Sequence, residues 1–347
     1  MQCIVYIPHL IPPREADEGV WQEVNAPRLK TALARAAYAS DANADAEALL
    51  CEWFGVPRQQ DWPLAPLLAK EDGLPASIGY WLCATPLHLE TRRNALVAAS
   101  TDQLPIGESE SAAFAATLAG HLQSEGIALY APAPGRWYLS SDNAPALTTT
   151  PMDVVAGRDI RAHLPTGKDS ARWRRILTEM QMLLHSHPVN EVRESRGLPP
   201  INSVWLWGGG TLPPAPAKTQ TPFTSVNSND AAIRALAHHA GCRVKPLPEQ
   251  CSPALLDEMT AANSTPDETH LISIESLATA MCQGDALAWT NAAHRLEALW
   301  IAPLLDALKL HRLRTLTLVS SNRHGIWRFE VRSSDRWKVW RKMPIVD

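Results

Sequence analysis

The side chains best suited to binding chemistry lie close together between residues 185 and 210. A polar stretch offers amides and a guanidinium, a short strand pattern follows at 204–207, and three consecutive glycines end it. Glycines after a strand let backbone N–H groups approach an anion closely, and an arginine fork matches carboxylate or phosphate oxygens. The sequence therefore predicts a turn and a pocket for a small phosphorylated or carboxylated metabolite. The candidate residues are Asn190, Arg193, Asn202, Trp205, Trp207, Gly208, Gly209 and Gly210.

These residues also have an ordinary structural interpretation. Turn bonding explains Asn190 as well as a ligand does, and Arg193 has Glu191 and Glu194 nearby as pairing partners. Trp205 and Trp207 alternate on one strand and so share a face, which favours core packing over stacking on a ligand.

Motifs for covalent, redox or metal chemistry are not found. The six cysteines are scattered without a C-x-x-C spacing, which is typical of small buried apolar residues. The glycines lack the Lys-Ser/Thr of a P-loop, and no G-x-S-x-G motif occurs. We therefore expect no catalytic residue, no cofactor and no metal ligand.

Alternating strand and helix patterns predict an α/β sheet with helices packed on it. Strand patterns lie at 3–7, 78–84, 127–130, 137–139, 204–207, 270–274, 315–320, 326–331 and 337–340. Helical patterns lie at 27–40, 44–54, 108–125, 169–185, 231–240 and 286–310. The proline-rich stretch 59–75 predicts a connector. We expect a polar loop at 189–202 and a long loop at 211–229. The last two strand patterns predict a terminal hairpin.

The composition is that of a globular protein. The chain has 347 residues, of which 46% are hydrophobic and 20% charged, enough to bury its own core. A net charge of −4 makes nucleic acid an unlikely partner for the molecule as a whole. No secretory leader and no apolar run of membrane-spanning length is visible, so we expect no membrane association and a cytoplasmic location.

The C-terminal segment differs in charge from the rest. Residues 311–347 carry nine Lys and Arg against three carboxylates, together with three of the thirteen tryptophans. A solvated strand face that pairs with the acidic body explains this pattern. The alternative is an interaction module that binds nucleic acid or protein through Arg336, Lys338 and Arg341.

Longer strings resemble a known family. HPVNEVRESRGLPPINSVWLWGGG, residues 187–210, is similar to the HPVN–WLWG segment of archaeal-type cofactor-independent phosphoglycerate mutases, members of the alkaline phosphatase superfamily. Weaker likenesses lie at 26–30, 151–160, 270–275 and 284–285. The strings WLWGGG, RWYL and RHGIWRFEVRSSDRWKVWRK also resemble bacterial regulatory proteins of RpfE type.

The resemblance implies a two-metal site with Asp and His ligands and a Ser or Thr nucleophile, and the chain departs from that pattern. Pro8-His9-Leu10 stands where the first strand of such mutases ends in Asp-Gly. Residues 276–280 replace an Asp-x-x-x-His, and Ser321-Asn322-Arg323-His324 replaces an Asp-His. Because divalent cations of this kind need carboxylate oxygens, we expect the site to be lost. His9 and His324 remain as an alternative lone metal site.

The resemblance also implies an architecture and a function. We expect an alkaline-phosphatase-like core of residues 1–75 and 185–347, with an inserted α+β lobe at 76–184. The expected function is that of a mutase-like regulatory or anionic-metabolite-binding protein. An active metal-dependent phosphoglycerate mutase or phosphohydrolase with a rearranged site, and the C-terminal interaction module, are the alternatives.

Overall fold

A computed structural model describes residues 1–12, 24–42, 44–99, 104–217, 220–259, 268–282 and 286–338. The strands are β1 (Gln2–Tyr6), β2 (Ala37–Asp41), β3 (Tyr80–Leu87), β4 (Leu89–Arg92), β5 (Ala95–Ala98), β6 (Ile127–Ala133), β7 (Arg136–Ser141), β8 (Ser203–Gly210), β9 (Phe223–Asn227), β10 (Arg243–Lys245), β11 (Thr269–Ser273), β12 (Thr315–Asn322) and β13 (Gly325–Val331).

The helices are α1 (Pro27–Arg35), α2 (Ala46–Trp53), α3 (Leu64–Glu71), α4 (Glu108–Ser124), α5 (Met152–Val155), α6 (Ser170–His185), α7 (Pro188–Ser195), α8 (Ala231–His239), α9 (Pro253–Met259), α10 (Ser276–Cys282), α11 (Ala286–Leu296) and α12 (Ala302–Lys309). A π-helical turn, Glu297–Ile301, joins α11 to α12, and 3₁₀ turns lie at Ile160–His163 and Ser333–Trp337.

The chain divides into two compact units. Residues 1–55 and 216–347 form unit 1, and residues 56–215 form unit 2. The sequence predicts an inserted lobe at 76–184. The compact unit is longer at both ends, because it begins at residue 56 and ends at residue 215. The difference arises because β8 pairs with β3 in one sheet. Gln59 also exchanges hydrogen bonds of 2.8 and 3.0 Å with the backbone of Thr211, which joins the two ends of unit 2.

Unit 1 is built on a mixed seven-stranded sheet in the order β10-β9-β11-β1-β12-β13-β2. The first five strands run parallel, and β13 and β2 are antiparallel additions. β1 is the central strand, and its Val5 is fully buried against helix residues such as Leu29 and Trp289. Helix α1 has no side-chain cap of its own. The Glu297 carboxylate instead accepts from Arg28 N at 3.2 Å and Leu29 N at 3.0 Å.

Unit 2 has an antiparallel four-stranded sheet in the order β6-β7-β3-β8, and β4 and β5 form a separate hairpin. Its core combines strand residues such as Leu82 and Leu206 with Phe114 of α4 and Trp173 and Ile176 of α6. The helix predicted at 169–185 is thereby confirmed. No helix in the described part of the chain has the length and apolar character needed to cross a membrane.

Two helix boundaries differ from the predictions. Residues 37–40, expected to end a helix, lie in β2 because pairing with β13 outweighs local helix propensity. The expected connector 59–75 contains α3, in which residues 64–69 are all buried. Burial of this Leu/Ala-rich face stabilises a helix despite Pro66 in its first turn.

Other differences concern loops and the C-terminus. Residues 188–195 form α7 rather than a loop, because Pro188 at the first helical position has no N–H to satisfy. The expected loop 211–229 contains the paired strand β9. Trp337 belongs to a 3₁₀ turn rather than a strand, and Trp340, Arg341 and the Gly284-Asp285 pair lie outside the described residues.

Gly325 offers a test of the β12–β13 turn. Its φ is +131°, and a Cβ built there would lie 2.2 Å from the Asp41 carbonyl oxygen. We expect Gly325→Ala to reduce the free energy of unfolding by about 2–4 kcal/mol, measured by urea denaturation. Gly241, at φ +73° with open space around its Cβ position, is the matched control, and Gly241→Ala should cost only about 1 kcal/mol. Equal losses for the two variants would contradict the close approach to β2.

Candidate functional site

The carboxyl ends of four neighbouring parallel strands meet at one edge of the unit 1 sheet. β9, β11, β1 and β12 are adjacent and run in one direction. In open α/β sheets this edge is where ligands bind. The residues that follow or end these strands are therefore the candidate functional site of unit 1, and we call them the strand-end cluster: His9, Ser228, Asp230, Ser273, Glu275, Ser320, Ser321, Asn322, Arg323 and His324.

His9 has an unusual backbone conformation and environment. Its φ is +59°, its N–H donates to Ser321 O at 2.8 Å, and its carbonyl accepts from the Trp289 indole at 3.2 Å. The buried Nδ1 has no hydrogen-bond partner in the described part of the chain. Burial, and then the positive charge of Arg323, lower the pKa of His9 to about 4. The imidazole is therefore neutral at neutral pH.

Hydroxyl and amide groups bind the end of β12 to the segment after β1. Ser320 Oγ accepts from Ile11 N at 3.1 Å, and Asn322 Nδ2 donates to Ile11 O at 2.8 Å. Ser321 Oγ shares a 2.6 Å hydrogen bond with the Tyr6 hydroxyl. These polar groups carry no charge, so this part of the edge holds its geometry without ion pairs.

Two partly buried carboxyl groups lie at the ends of β9 and β11. Asp230 caps α8 by accepting from Ile233 N at 2.8 Å, and Glu275 accepts from Ser273 Oγ at 2.6 Å and Ser228 Oγ at 3.5 Å. Burial raises the pKa of Asp230. Burial also raises the pKa of Glu275, and the nearby Asp230 charge raises it further. The environment of both groups thus makes them weaker acids than exposed carboxyl groups.

Sequence reasoning found part of this cluster. It singled out His9 and His324 as an alternative metal site, and the likeness at 270–275 ends at Glu275. It missed Ser228 and Asp230, because the stretch before them was expected to be a loop. The available signal was the aromatic and β-branched content of Phe223-Thr-Ser-Val226, which is typical of a strand.

The residues predicted to bind an anion all lie in unit 2, where the two amides hold the chain together. Asn190 donates to Leu184 O and Ile201 O at 2.7 and 2.9 Å and accepts from Ile201 N at 2.8 Å. Asn202 makes a pair of hydrogen bonds with the backbone N–H and carbonyl of Leu89, at 2.7 and 3.0 Å. Both side-chain amides therefore act as hydrogen-bond partners for backbone N–H and carbonyl groups, in the way that a neighbouring strand would.

Arg193 is fully buried and links three parts of unit 2. Its guanidinium donates to Pro199 O at 3.0 Å, to Pro105 O at 2.9 Å and to Glu110 at 2.7 Å. The partner is thus Glu110 of α4 and not Glu191 or Glu194. Such a charge-assisted bond is strong inside a protein, where little water competes.

The two tryptophans and the three glycines belong to β8. Trp205 Nε1 donates to Thr150 O and Trp207 Nε1 to Thr85 Oγ1, each at 2.8 Å. The expected turn is replaced by strand, since β8 runs to Gly210. A Cβ would lie 2.3 Å from the Tyr80 hydroxyl at Gly209 and 2.5 Å from Pro63 Cβ at Gly210. The absence of side chains at the glycines therefore leaves room for the protein's own α3 and β3. Contact between these glycines and a ligand stays a prediction.

The fold places the chain among alkaline-phosphatase-like α/β proteins. A cofactor-independent phosphoglycerate mutase from Thermoplasma acidophilum superposes with a TM-score of 0.50 at 12% identity, covering 95% of this chain and 89% of the other. A Pyrococcus horikoshii protein superposes with a TM-score of 0.58 at 14% identity, covering 96% and 89%. Likeness at this level of identity establishes the fold alone.

Sequence comparison identifies archaeal-type cofactor-independent phosphoglycerate mutases as homologues. The chain is 30% identical over 198 residues to phosphoglycerate mutase 2 of Methanothermobacter thermautotrophicus, 53% of this chain and 46% of that protein. It is 31% identical over 133 residues to the enzyme of Methanosarcina barkeri, 37% of this chain and 31% of that protein. The matched stretches thus span less than half of these relatives, and no protein-family model matches the chain.

The strand-end cluster does not fit the pair of divalent metals that the resemblance implies. Within the described ranges, no three His, Cys, Asp or Glu side chains lie together as a metal site requires. Asp230 is already bound to the start of α8 and Glu275 to Ser273. Uncharged hydroxyls are weak substitutes for the carboxylate oxygens that hard cations prefer. No step through a metal is derived from these residues.

The role of Arg193 predicts a loss of stability on substitution. We expect Arg193→Met to reduce the free energy of unfolding by about 3–5 kcal/mol, because Glu110 and two carbonyl groups lose their partner. Denaturation of the purified variant measures this. Arg196→Met, at the exposed end of the same helix, should change stability by less than about 0.5 kcal/mol. An Arg193→Met protein of unchanged stability would favour ligand binding as the function of this arginine.

The environment of His9 predicts acid sensitivity. The folded-state pKa of about 4 lies below the ordinary 6.5. The contribution of the neutral His9 to the free energy of unfolding is therefore complete above pH 6.5. Up to about 3 kcal/mol of it is lost as the pH falls towards 4. His9→Asn, which tolerates the same backbone conformation, should lose less stability than the wild type over this range. The control is His311→Asn, which changes an exposed histidine with the same φ of +59° and should keep the wild-type dependence on pH. Equal slopes for all three proteins would contradict a buried neutral His9.

Proposed function

We propose that this protein is a phosphoglycerate-mutase-like protein that has lost the two-metal catalytic centre and acts in regulation by binding an anionic metabolite. The observation that carries the proposal is the composition of the strand-end cluster. His9, residues 276–280 and residues 321–324 stand where the resemblance implies metal ligands, and the two carboxyl groups that the edge does hold, Asp230 and Glu275, already accept hydrogen bonds from the chain. The hydroxyls and the amide can hold an oxyanion through hydrogen bonds, whereas two carboxyl groups already engaged by the chain supply fewer oxygen ligands than two divalent cations need.

Arg323 provides the positive charge that an anion requires. It is exposed in the turn after β12, and it lies close enough to His9 to lower the pKa of that group. Its Nε is 3.1 Å from His324 Nε2, and Asn322 Oδ1 accepts from His324 N at 2.7 Å. An arginine held by its neighbours loses less conformational entropy when it binds a phosphate or carboxylate.

The relatives suggest the class of ligand. Their names specify phosphoglycerate, which carries both a phosphate and a carboxylate. Retention of the fold, together with a changed set of strand-end side chains, supports binding of a similar metabolite without its isomerisation. The resemblance to bacterial regulatory proteins of RpfE type supports a regulatory role for that binding.

The test is calorimetric titration of the full chain with 3-phosphoglycerate, and with glycerate as the ligand without phosphate. We expect 3-phosphoglycerate to bind and Arg323→Gln to weaken it by about tenfold or more, the value of one charge-assisted contact. Arg314→Gln removes an exposed arginine just before the start of the same strand and should leave the affinity unchanged.

Two results would overturn the proposal. One is absence of binding by 3-phosphoglycerate, or binding that Arg323→Gln does not weaken. The other is conversion of 3-phosphoglycerate to 2-phosphoglycerate that requires added Mn²⁺ or Zn²⁺ and stops with a chelator, which would establish the rearranged enzyme. Loss of binding in Arg193→Met at unchanged stability would move the ligand to unit 2.

A further inference from the structure

A groove with a volume of about 300 Å³ lies on unit 1 between α1 and α12. The segment after β13 closes one side of it. Its apolar lining includes the buried side chains of Ala32, Leu308 and Val331 and the partly buried Leu305. This volume is at the lower end of the range of pockets that hold small organic ligands.

The groove lies at the opposite edge of the sheet from the strand-end cluster. Val331, which ends β13, pairs with Leu316 near the start of β12, and Ala37, which starts β2 just after α1, pairs with Glu330. The parallel strands end at the other edge. A ligand in the groove would therefore not compete directly with one bound near Arg323.

The polar lining is mainly positive. Four cationic side chains line the groove, of which Arg332 is paired with Glu330 outside the lining. The one carboxyl group in the lining is Asp335, which accepts from Arg332 N at 2.8 Å and is paired with Lys338. Its negative charge is thus already balanced within the chain. The four cationic side chains are Arg28, Arg35, Lys309 and Arg332.

Two of these cations already show how a carboxylate is held. Arg28 Nη1 lies 3.1 Å from Asp306 Oδ2, and Lys309 Nζ lies 3.3 Å from Asp306 Oδ1. Arg28 Nη2 also donates to Asp306 Oδ1, so the pair is bidentate, but Asp306 is 52% exposed and water competes for its oxygens. An incoming carboxylate or phosphate can therefore join or replace Asp306, provided that apolar contacts add to the binding free energy.

Both helical walls are fixed before any ligand arrives. Glu297, in the π-helical turn directly before α12, accepts from two backbone N–H groups of α1. The extra residue of a π-turn is frequently found at functional sites. A preformed groove binds with a smaller loss of conformational entropy than one that must be assembled.

We propose that this groove is a binding site for a small amphipathic anion, with an aromatic or branched apolar body in the groove and a carboxylate or phosphate head against Arg28 and Lys309. The apolar floor accounts for the body and the positive rim for the head. This site is separate from the proposed function, because it uses no residue of the strand-end cluster.

The experiment is calorimetric titration of the full chain with 2-naphthoate, 2-naphthyl phosphate and uncharged 2-naphthol. We expect both anions to bind at least about tenfold more tightly than naphthol, since each gains a charge-assisted contact. The two anions distinguish a carboxylate-selective from a phosphate-selective rim, and either preference supports the site.

Variants locate the binding. Thr31→Trp, at an exposed position that lines the groove, should fill it and abolish binding of both anions. Arg28→Gln should weaken binding by about tenfold through loss of the head contact. Lys245→Gln removes an exposed lysine paired with Glu258 elsewhere on unit 1 and should leave binding unchanged. If Thr31→Trp does not fold, Arg332→Gln at the opposite rim serves in its place, with partial loss expected.

Three outcomes would overturn the inference. The first is equal affinity for naphthol and the anions. The second is affinity that neither Thr31→Trp nor Arg28→Gln changes. The third is a change of molecular mass in light scattering for Thr31→Trp, which would show that a second copy of the chain occupies the groove. Binding of 3-phosphoglycerate is measured separately, so failure of either proposal is recognised independently of the other.

Discussion

Strand β1 pairs in parallel with β11 on one side and β12 on the other, and the geometry of the candidate site depends on this pairing. Gln2 is opposite both Thr269 and Thr315, and Tyr6 is opposite both Ser273 and Val319. A shift of one residue would turn every side chain of the strand to the other face. The fully buried Cys3 and Val5 oppose such a shift, because their burial would be lost. The register in turn brings His9 beside Ser321 and brings Glu275 to the same edge.

The strand-end cluster stabilises itself chiefly through uncharged groups. Serine hydroxyls bind a tyrosine, a backbone N–H and a carboxyl group, and the imidazole of His9 is neutral. Burying an unpaired charge costs far more than burying a bonded hydroxyl. The edge can therefore exist without a bound cation, and its two carboxyl groups, Asp230 and Glu275, are held by a backbone N–H and a serine hydroxyl. This stability is compatible with a protein that holds and releases a metabolite, with the charge of Arg323 exposed where the metabolite arrives.

Sequence patterns predicted the elements with strong periodicity and missed those that tertiary contacts decide. The apolar face of α6 and the strands β1, β11 and β12 were evident from side-chain spacing alone. Residues 37–40 fall within a predicted helix but lie in β2, whose five residues are all exposed, so no alternation of buried and exposed side chains marks this strand. The glycines of β8 illustrate the limit for the site. Their type correctly indicates a close backbone approach, but sequence cannot state whether the approaching group is a ligand or, as here, Tyr80 and Pro63. The strand-end residues were accessible only in part, because β9 was hidden in a Pro/Ser/Thr-rich stretch.

The insertion of unit 2 within unit 1 has a consequence for the order of folding during synthesis. Residues 56–215 form a unit whose ends are joined through Gln59 and Thr211, and all of them emerge from the ribosome before β11 and β12 do. Strand β1 is made first, yet both its neighbours begin more than two hundred and sixty residues later. Pairing over such sequence separation is slow, because the chain must close a long loop. The unit that carries no strand-end residue thus completes its fold first, while the first strand of the candidate site waits unpaired for the end of the chain.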